Sequence, residues 1–191
     1  KPAPLTPLLA ARGLPAVSGP FPSPPFQAAP EAIAAEAKAL GLEYAGCAWA
    51  DHKAPLDEKQ AREIIAVFNR AGAFLAKHGL KFFYHCHGFE FQPHGDGTLM
   101  DLIIKETSPK HVRFEMDVLW VVFPGQDPAK LLNKYPDRWK LMHLKDLKKG
   151  VANWVSLNAK ELKDFNSLLA KSHVPAVAAA APVLTAPVCV V

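Results

Sequence analysis

Cysteine is scarce in this sequence of 191 residues, and its three copies lie far apart. Cys47, Cys86 and Cys189 form no CxxC pair, and their number is odd. This pattern indicates neither a disulfide framework nor a zinc site built from cysteines. Cys47 and Cys86 fall within apolar runs, where cysteine usually serves as a small buried hydrophobic residue. The cysteine usage favours a reducing compartment, and we expect a cytoplasmic protein.

Strong charge of one sign is also missing. The formal net charge is +4, and the lysines are scattered except in LKDLKKG at 144–150. We interpret that stretch as a solvated loop after a strand, because the sequence has no basic stripe that could follow a phosphate backbone. We therefore expect no nucleic-acid partner.

Uninterrupted apolar segments of the length of a signal peptide or a membrane span are absent. Prolines interrupt residues 1–17, and Pro175, Pro182 and Pro187 interrupt the apolar segment 174–191. We therefore expect no membrane partner. Because the chain opens without methionine and its ends are rich in Ala, Pro and Val, we also expect the sequence to be incomplete, which leaves export open.

The central part of the sequence alternates short apolar runs with segments of helical spacing. Runs rich in Val, Phe, Leu and Tyr predict buried strands at 13–21, 42–50, 81–87, in VRFEMDVLW from 112, and in WKLMH from 139. Apolar residues recur at intervals of three and four between Leu56 and His78, which predicts a long helix that ends at Gly79. Alternating strands and helices predict one α/β domain with a parallel sheet.

Other segments carry weaker signals. The Pro-rich segment 20–26 and the turn-rich segment 92–98 are predicted loops, and Pro30 and Pro128 are predicted helix starts. Beyond position 157, we expect a helix at 158–173 and a strand at 174–181.

Three predicted strands end in residues that can bind a metal or transfer a proton. Side chains alternate along a strand, so His85 and His87 share one face, and His143 and Lys145 likewise point together. The intervals from His85 to Asp117 and from Asp117 to His143 are roughly 32 and 26 residues, close to the length of a βαβ unit. Equivalent strand ends meet on one rim of an α/β barrel, where imidazoles and a carboxylate predict a divalent metal site.

The same strands resemble the sugar phosphate isomerase/epimerase family, the TIM barrels related to xylose isomerase. The resemblance lies in YHCHGFEF, VRFEMDVLWVVFPGQDP and KYPDRWKLMHLKD. In this family the first motif usually has the form YHNH followed by FEF, and Cys86 stands here where Asn is common. The resemblance implies a (β/α)8 TIM barrel of the xylose isomerase type.

The resemblance covers only part of such a barrel. It extends over roughly residues 13–150, about strands three to seven, whereas a complete barrel typically needs about 250 residues. We expect a single TIM-barrel domain over 1–191 that is incomplete in this sequence, with poorly matching ends at 1–12 and 151–191. Sheet edges left open in this way need missing segments or a partner to cover them, so a homo-oligomer is one expectation.

The resemblance also implies a bound divalent ion, such as manganese, zinc, magnesium or cobalt. By position, Asp117 and His143 match the Asp and His ligands on strands six and seven. His85 stands where many relatives have a glutamate on strand five, so it is the third predicted ligand, with His87 and Glu90 as competitors. An imidazole in place of a carboxylate makes the site one negative charge poorer, which favours zinc or manganese over magnesium.

Two further groups of the family pattern are missing. Pro20 stands where a histidine is frequent on the third strand. Relatives carry another glutamate on the final strand, but Glu161 is the only glutamate after position 146 here, and it lies inside a predicted helix.

The implied activity is that of a metal-dependent isomerase or epimerase of sugars or sugar phosphates. The reaction is abstraction of a proton beside a carbonyl, while the metal stabilises the enediolate. His87 is the predicted base, and Lys145 is predicted to stabilise the oxyanion or anchor a hydroxyl. A purely structural role for Lys145, paired with Asp146 or Glu115, stays open.

Substrate contacts are predicted for Glu90 and Trp120. Trp120 and Phe123 would supply apolar walls for sugar carbons, although Trp120 could instead only cap the barrel. Trp49, near the end of its strand, is either a wall of the sugar pocket or a packed aromatic residue.

Two alternatives to an isomerase stay open. A lyase or hydrolase of 3-keto-glycosides needs the same enolate chemistry but expels a leaving group. A non-catalytic carbohydrate-binding relic would explain the missing strands and the missing glutamate. In every case the predicted partner is a small-molecule sugar.

Overall fold

The computed structural model describes residues 16–144, together with positions 7, 9, 11–14, 167 and 170. Seven strands lie in this part of the chain: β1 (Ser18–Phe21), β2 (Tyr44–Cys47), β3 (Lys81–His85), β4 (Pro93–His94), β5 (Gly97–Thr98), β6 (Val112–Asp117) and β7 (Trp139–His143). Five of them form one parallel sheet in the order β1-β2-β3-β6-β7. Parallel neighbours in chain order are the arrangement of consecutive strands in a TIM barrel, and the described sheet is a half-barrel of that kind.

Helices follow the strands of this sheet. They are α1 (Ser23–Ala28), α2 (Pro30–Ala39), α3 (Glu58–Lys77), α4 (Leu99–Glu106), α5 (Val118–Val122) and α6 (Pro128–Lys134), with a 3-10 turn at Phe89–Phe91. The predicted starts at Pro30 and Pro128 are confirmed. The long helix ends as predicted before Gly79, which has a positive φ of 76°.

The Pro-rich segment 20–26 was predicted to be a loop, and this prediction is wrong. Helix α1 begins at Ser23, so Pro24 and Pro25 both lie in its first turn. Backbone N–H groups there have no partner within the helix, so proline costs little at these positions.

Two more segments differ from the sequence-based prediction. The strand predicted from VRFEMDVLW stops at Asp117, because the Asp117 carboxylate accepts a hydrogen bond from the backbone N–H of Trp120 and caps α5. The predicted loop at 92–98 contains the short antiparallel pair of β4 and β5.

The sheet separates two packed regions. Toward the helices, Phe82 and Tyr84 of β3 pack on Phe68 of α3, with ring centroids 5.3 and 4.6 Å apart. On the other face, the buried Phe83 lies against Gly46, where a Cβ would be only 2.1 Å from the ring. The glycine therefore makes room for an aromatic ring on the face that carries the polar strand ends.

Several sequence-based predictions can be placed against these elements. Cys47 and Cys86 are free and buried, as predicted, whereas Cys189 is outside the described residues. The predicted helix at 158–173 is described at Ser167 and Ala170 alone, which are helical, and the predicted strand at 174–181 is outside the described residues. No helix in the described part of the chain is long and apolar enough to cross a bilayer.

Candidate metal centre

Three neighbouring strands bring His85, Asp117 and His143 together at their carboxyl ends. Asp117 and His143 are paired in the register of β6 and β7, and β3 lies on the other side of β6. The Nε2 atom of His85 lies 3.3 Å from Asp117 Oδ2, and the Nδ1 atom of His143 lies 3.4 Å from the same oxygen. One ligand atom from each residue lies within 4.8 Å of the others. The strand-end spacing predicts that these three side chains lie close together, and the structure places them so.

The chemistry of these groups fits a divalent cation. Asp117 is fully buried, and its Oδ2 is one of the few buried side-chain atoms in the described part of the chain with no well-aligned hydrogen-bond partner. Two imidazole nitrogens nevertheless point toward it. An orphaned carboxylate oxygen between two imidazoles is a donor set that suits zinc or manganese.

The pKa of Asp117 reflects the same surroundings. Burial raises it, but the interaction with His85, the Trp120 backbone N–H and the charge of His143 together hold it below its usual value. Asp117 is therefore an anion at neutral pH, which is the form that a metal ligand needs.

His85 has a second carboxylate neighbour in Glu115, its register partner on β6. The distance between His85 Nδ1 and Glu115 Oε2 is 2.5 Å. Burial lowers the pKa of His85, but Asp117 and Glu115 outweigh burial and raise that pKa to about 9. A cation bound at His85 Nε2 would replace the ring proton that faces Asp117, and not the one that faces Glu115.

The predicted base His87 lies directly beside this group, with its ring centroid 4.9 Å from that of His85. Aromatic rings surround it: Trp49 at 4.8 Å, Phe89 at 5.6 Å and Trp120 at 6.2 Å between centroids. Trp49 packs on His87 and is still 45% exposed, so it is a packed aromatic residue at the rim, and its role as a wall of a sugar pocket stays a prediction. The aromatic wall, defined as Trp49, Phe89 and Trp120, borders the candidate metal centre.

Phe123 continues this wall, with its ring 5.7 Å from that of Trp120 and 68% of its surface exposed. No sequence pattern points to His52, yet its ring packs on that of Phe89. The ring centroid of His52 lies 3.9 Å from that of Phe89 and 5.5 Å from that of Trp49. It lies in a loop without periodicity, and no signal in the sequence links that loop to the β3 end.

Glu90, a predicted substrate contact, lies behind the rim. It is fully buried, and its carboxylate accepts hydrogen bonds from the Tyr84 hydroxyl at 2.5 Å and from the His87 backbone N–H at 2.9 Å. Burial raises the pKa of Glu90 to about 7, although these hydrogen bonds partly oppose the rise. The buried Glu90 carboxylate therefore holds the backbone at His87, and its direct contact with a substrate stays a prediction.

Lys145, the second predicted catalytic residue, is outside the described residues, as is Asp146. The sequence did contain a signal for Glu115, because it lies two positions before Asp117 and alternation puts both side chains on one face. The sequence predicts Glu115 only as a structural partner for a cation, because its contact with His85 depends on the register of β3 and β6.

Comparisons with known proteins agree with this fold. The chain is 35% identical to an inosose dehydratase of Geobacillus thermodenitrificans over 106 residues, which are 55% of this chain and 35% of that protein. It is 29% identical to an inosose dehydratase of Clostridium tetani over 106 residues, again 55% of this chain and 35% of that protein. The match therefore spans about a third of the length of these curated relatives. No protein-family model matches the chain.

Solved structures give the same result at the level of the fold. A sugar phosphate isomerase/epimerase of Parabacteroides distasonis superimposes with a TM-score of 0.66 at 26% identity, covering 80% of this chain and 62% of that one. An L-ribulose 3-epimerase superimposes with a TM-score of 0.59 at 12% identity, covering 83% of this chain and 63% of that one, and it supports the fold alone.

The fold is that of the xylose isomerase-like TIM barrels, described here as a half-barrel. Within that class, the resemblance to the sugar phosphate isomerase/epimerase family is confirmed, and the curated relatives add inosose dehydratases of the same superfamily.

Proposed function

We propose that this chain belongs to a metal-dependent enzyme that removes a proton beside the carbonyl of a sugar-like, polyhydroxylated ketone. The observation that carries the proposal is the buried Asp117 Oδ2, which has no aligned hydrogen-bond partner in the described residues and lies 3.3 and 3.4 Å from two imidazole nitrogens. These groups stand at the carboxyl ends of parallel strands, where TIM-barrel enzymes carry their active sites.

Different residues hold the cation, accept the proton and exclude water in this proposal. A divalent ion held by His85, Asp117 and His143 would supply the positive charge that stabilises an enediolate. His87 accepts the proton, because its ring lies beside His85. Trp49 and Trp120 flank His87 and exclude water from one side of the substrate.

We favour dehydration as the outcome of this proton transfer. The C–H bond beside the carbonyl breaks, the C–O bond at the next carbon then breaks, and the hydroxyl leaves as water after it takes up a proton. This outcome is supported by the curated relatives, which are named inosose dehydratases and reach 35% identity.

Isomerisation or epimerisation is the second candidate. It shares the proton abstraction but returns the proton to a carbon atom, so no group leaves. The observation that favours it is the likeness to the sugar phosphate isomerase/epimerase of Parabacteroides distasonis, at 26% identity.

One experiment separates these outcomes. The full-length protein is incubated in D2O with added Mn²⁺ or Zn²⁺ and a panel of inososes, ketoses and 3-keto-glycosides, and the products are examined by mass spectrometry and NMR. Loss of one water supports the dehydratase, deuterium uptake without loss of mass supports the isomerase or epimerase, and release of an alcohol supports the glycoside lyase. Binding of sugars without turnover under any of these conditions would contradict the enzymatic proposal and favour a binding protein.

A further inference from the structure

We propose that Glu115 is a positioning residue that fixes the tautomer of His85, so that the Nε2 lone pair faces the cation. The inference rests on the proposed function, because it presupposes a cation held by His85, Asp117 and His143. It adds a fourth residue, which does not touch the cation, to the candidate metal centre.

The two nitrogens of the His85 ring face different carboxylates. Nδ1 lies 2.5 Å from Glu115 Oε2, whereas Nε2 lies 3.3 Å from Asp117 Oδ2. A neutral imidazole carries one proton, and the nitrogen that binds a cation cannot carry it. The Glu115 carboxylate accepts a hydrogen bond from a proton on Nδ1, and this leaves the Nε2 lone pair directed at Asp117, where the cation would bind.

Burial makes this contact specific. The side chains of His85 and Glu115 are 13% and 17% exposed, so little water can replace the carboxylate as the acceptor. The register of β3 and β6 places the two residues side by side, and the Cys86 N–H donates to the Glu115 carbonyl oxygen at 3.2 Å. The backbone therefore fixes the distance between the two strand ends.

His143 provides a contrast within the same centre. It also points one nitrogen, Nδ1, at Asp117 Oδ2, but its side chain is 48% exposed. Within residues 16–144, no carboxylate other than Asp117 lies within ion-pair distance of the His143 ring. Water can hydrogen-bond to the half-exposed His143 ring. The protein therefore orients the His85 imidazole and leaves the His143 imidazole in contact with solvent.

Two other roles for Glu115 must be separated from positioning. It could act as a negative charge that attracts the cation through space, or it could bind the cation directly. Both of these roles would persist without His85, whereas positioning acts only through the His85 ring. A double-mutant cycle can therefore separate them.

The test measures Zn²⁺ affinity of the full-length protein by competition with a chromophoric chelator. For Glu115→Gln we expect affinity about 10- to 100-fold weaker, the usual loss when the hydrogen-bond partner of a metal-bound histidine is removed. Glu115→Asp keeps the charge but is shorter, and positioning predicts a loss for it as well. In a His85→Ala background Glu115→Gln should have no further effect, whereas in a His143→Ala background its full effect should remain.

A second readout reports the tautomer itself. Nitrogen-15 NMR of the Zn²⁺-loaded protein should show His85 with a proton on Nδ1 and the metal on Nε2, and a mixture of tautomers in Glu115→Gln. Unchanged affinity in Glu115→Gln, or an equal loss in the His85→Ala background, would overturn the positioning role and leave the metal centre standing. Absence of Zn²⁺ binding by the unsubstituted protein would overturn the metal centre and this inference together, and thermal melts check that each variant folds.

Discussion

Asp117 and Asp101 are both buried carboxylates near strand or helix ends, yet their surroundings differ. Asp101, in the first turn of α4, accepts hydrogen bonds from the Thr98 N–H at 2.8 Å and the Tyr135 hydroxyl at 2.7 Å, and Lys134 lies 2.7 Å away. Asp117 has one satisfied oxygen and one that lacks an aligned partner in the described part of the chain. A buried charge is costly when unpaired, so the first arrangement is that of a structural carboxylate, whereas the second suits the proposed cation.

The largest expected effect is the loss of turnover in Asp117→Asn. Asp117→Asn keeps the shape of the side chain and the cap on Trp120, but removes the charge between His85 and His143. We expect turnover to fall by roughly 10²- to 10³-fold, the size of loss seen when one group that stabilises a transition-state charge is removed. Steady-state kinetics and Zn²⁺ titration measure the effect.

The control for this variant is its stability. Urea denaturation of Asp117→Asn should still show a cooperative transition, because the packing is unchanged, but with a lower free energy of unfolding, because the interactions of the charge with His85 and His143 are lost. Full metal binding and turnover in a folded Asp117→Asn variant would contradict the assignment.

Asp101→Asn tests the other side of the contrast. It replaces a carboxylate that joins α4 to Lys134 and Tyr135 of the α6 end, so we expect the free energy of unfolding to fall by about 1.5–3 kcal/mol. Zn²⁺ affinity should not change, since Asp101 touches none of the candidate ligands. Tyr135→Phe is the matched control that removes one hydrogen bond. A loss of Zn²⁺ affinity in Asp101→Asn would contradict a purely structural role for Asp101.

Glu90 is a third buried carboxylate, and burial raises its pKa to about 7. Because this pKa is raised on folding, the stability contribution is present below the ordinary value of 4.5 and is lost as the pH rises through 7. The unfolding free energy should therefore decline by up to about 1.4 kcal/mol per pH unit across this window. Urea denaturation at several pH values should show a shallower decline in Glu90→Gln, and equal slopes in both proteins would contradict this assignment.

The smallest expected effect concerns the pH dependence of Asp101. Burial raises its pKa, but Lys134, Tyr135 and Thr98 outweigh burial and lower that pKa below 3.8. A lowered pKa on folding means that the contribution to stability is complete above 3.8 and is lost as the pH falls through the folded value. The stability gap between the unsubstituted protein and Asp101→Asn should narrow in acid, and a gap that widens there would show that other groups dominate.

Much of the fold and the centre of the site could be predicted from the sequence. Period-2 and period-3.6 patterns gave the strand and helix order, and the strand-end spacing gave His85, Asp117 and His143. The role of Glu115 and the stacking of His52 on Phe89 depend on strand register and on contacts between loops, which no local pattern encodes. Glu90 stays a predicted substrate contact, but the 3-10 turn at Phe89–Phe91 buries its side chain, which no local pattern indicates.

The two oxygens of Asp117 have a consequence for engineering. Oδ1 anchors the first turn of α5, which carries Trp120, while Oδ2 faces the candidate ligands. An insertion or loop graft between Asp117 and Trp120 would release the anchor and disturb the charged oxygen at the same time. The surroundings of the candidate metal centre are therefore better altered at Trp49 or Phe123, whose rings pack on those of His87 and Trp120 and not on this carboxylate.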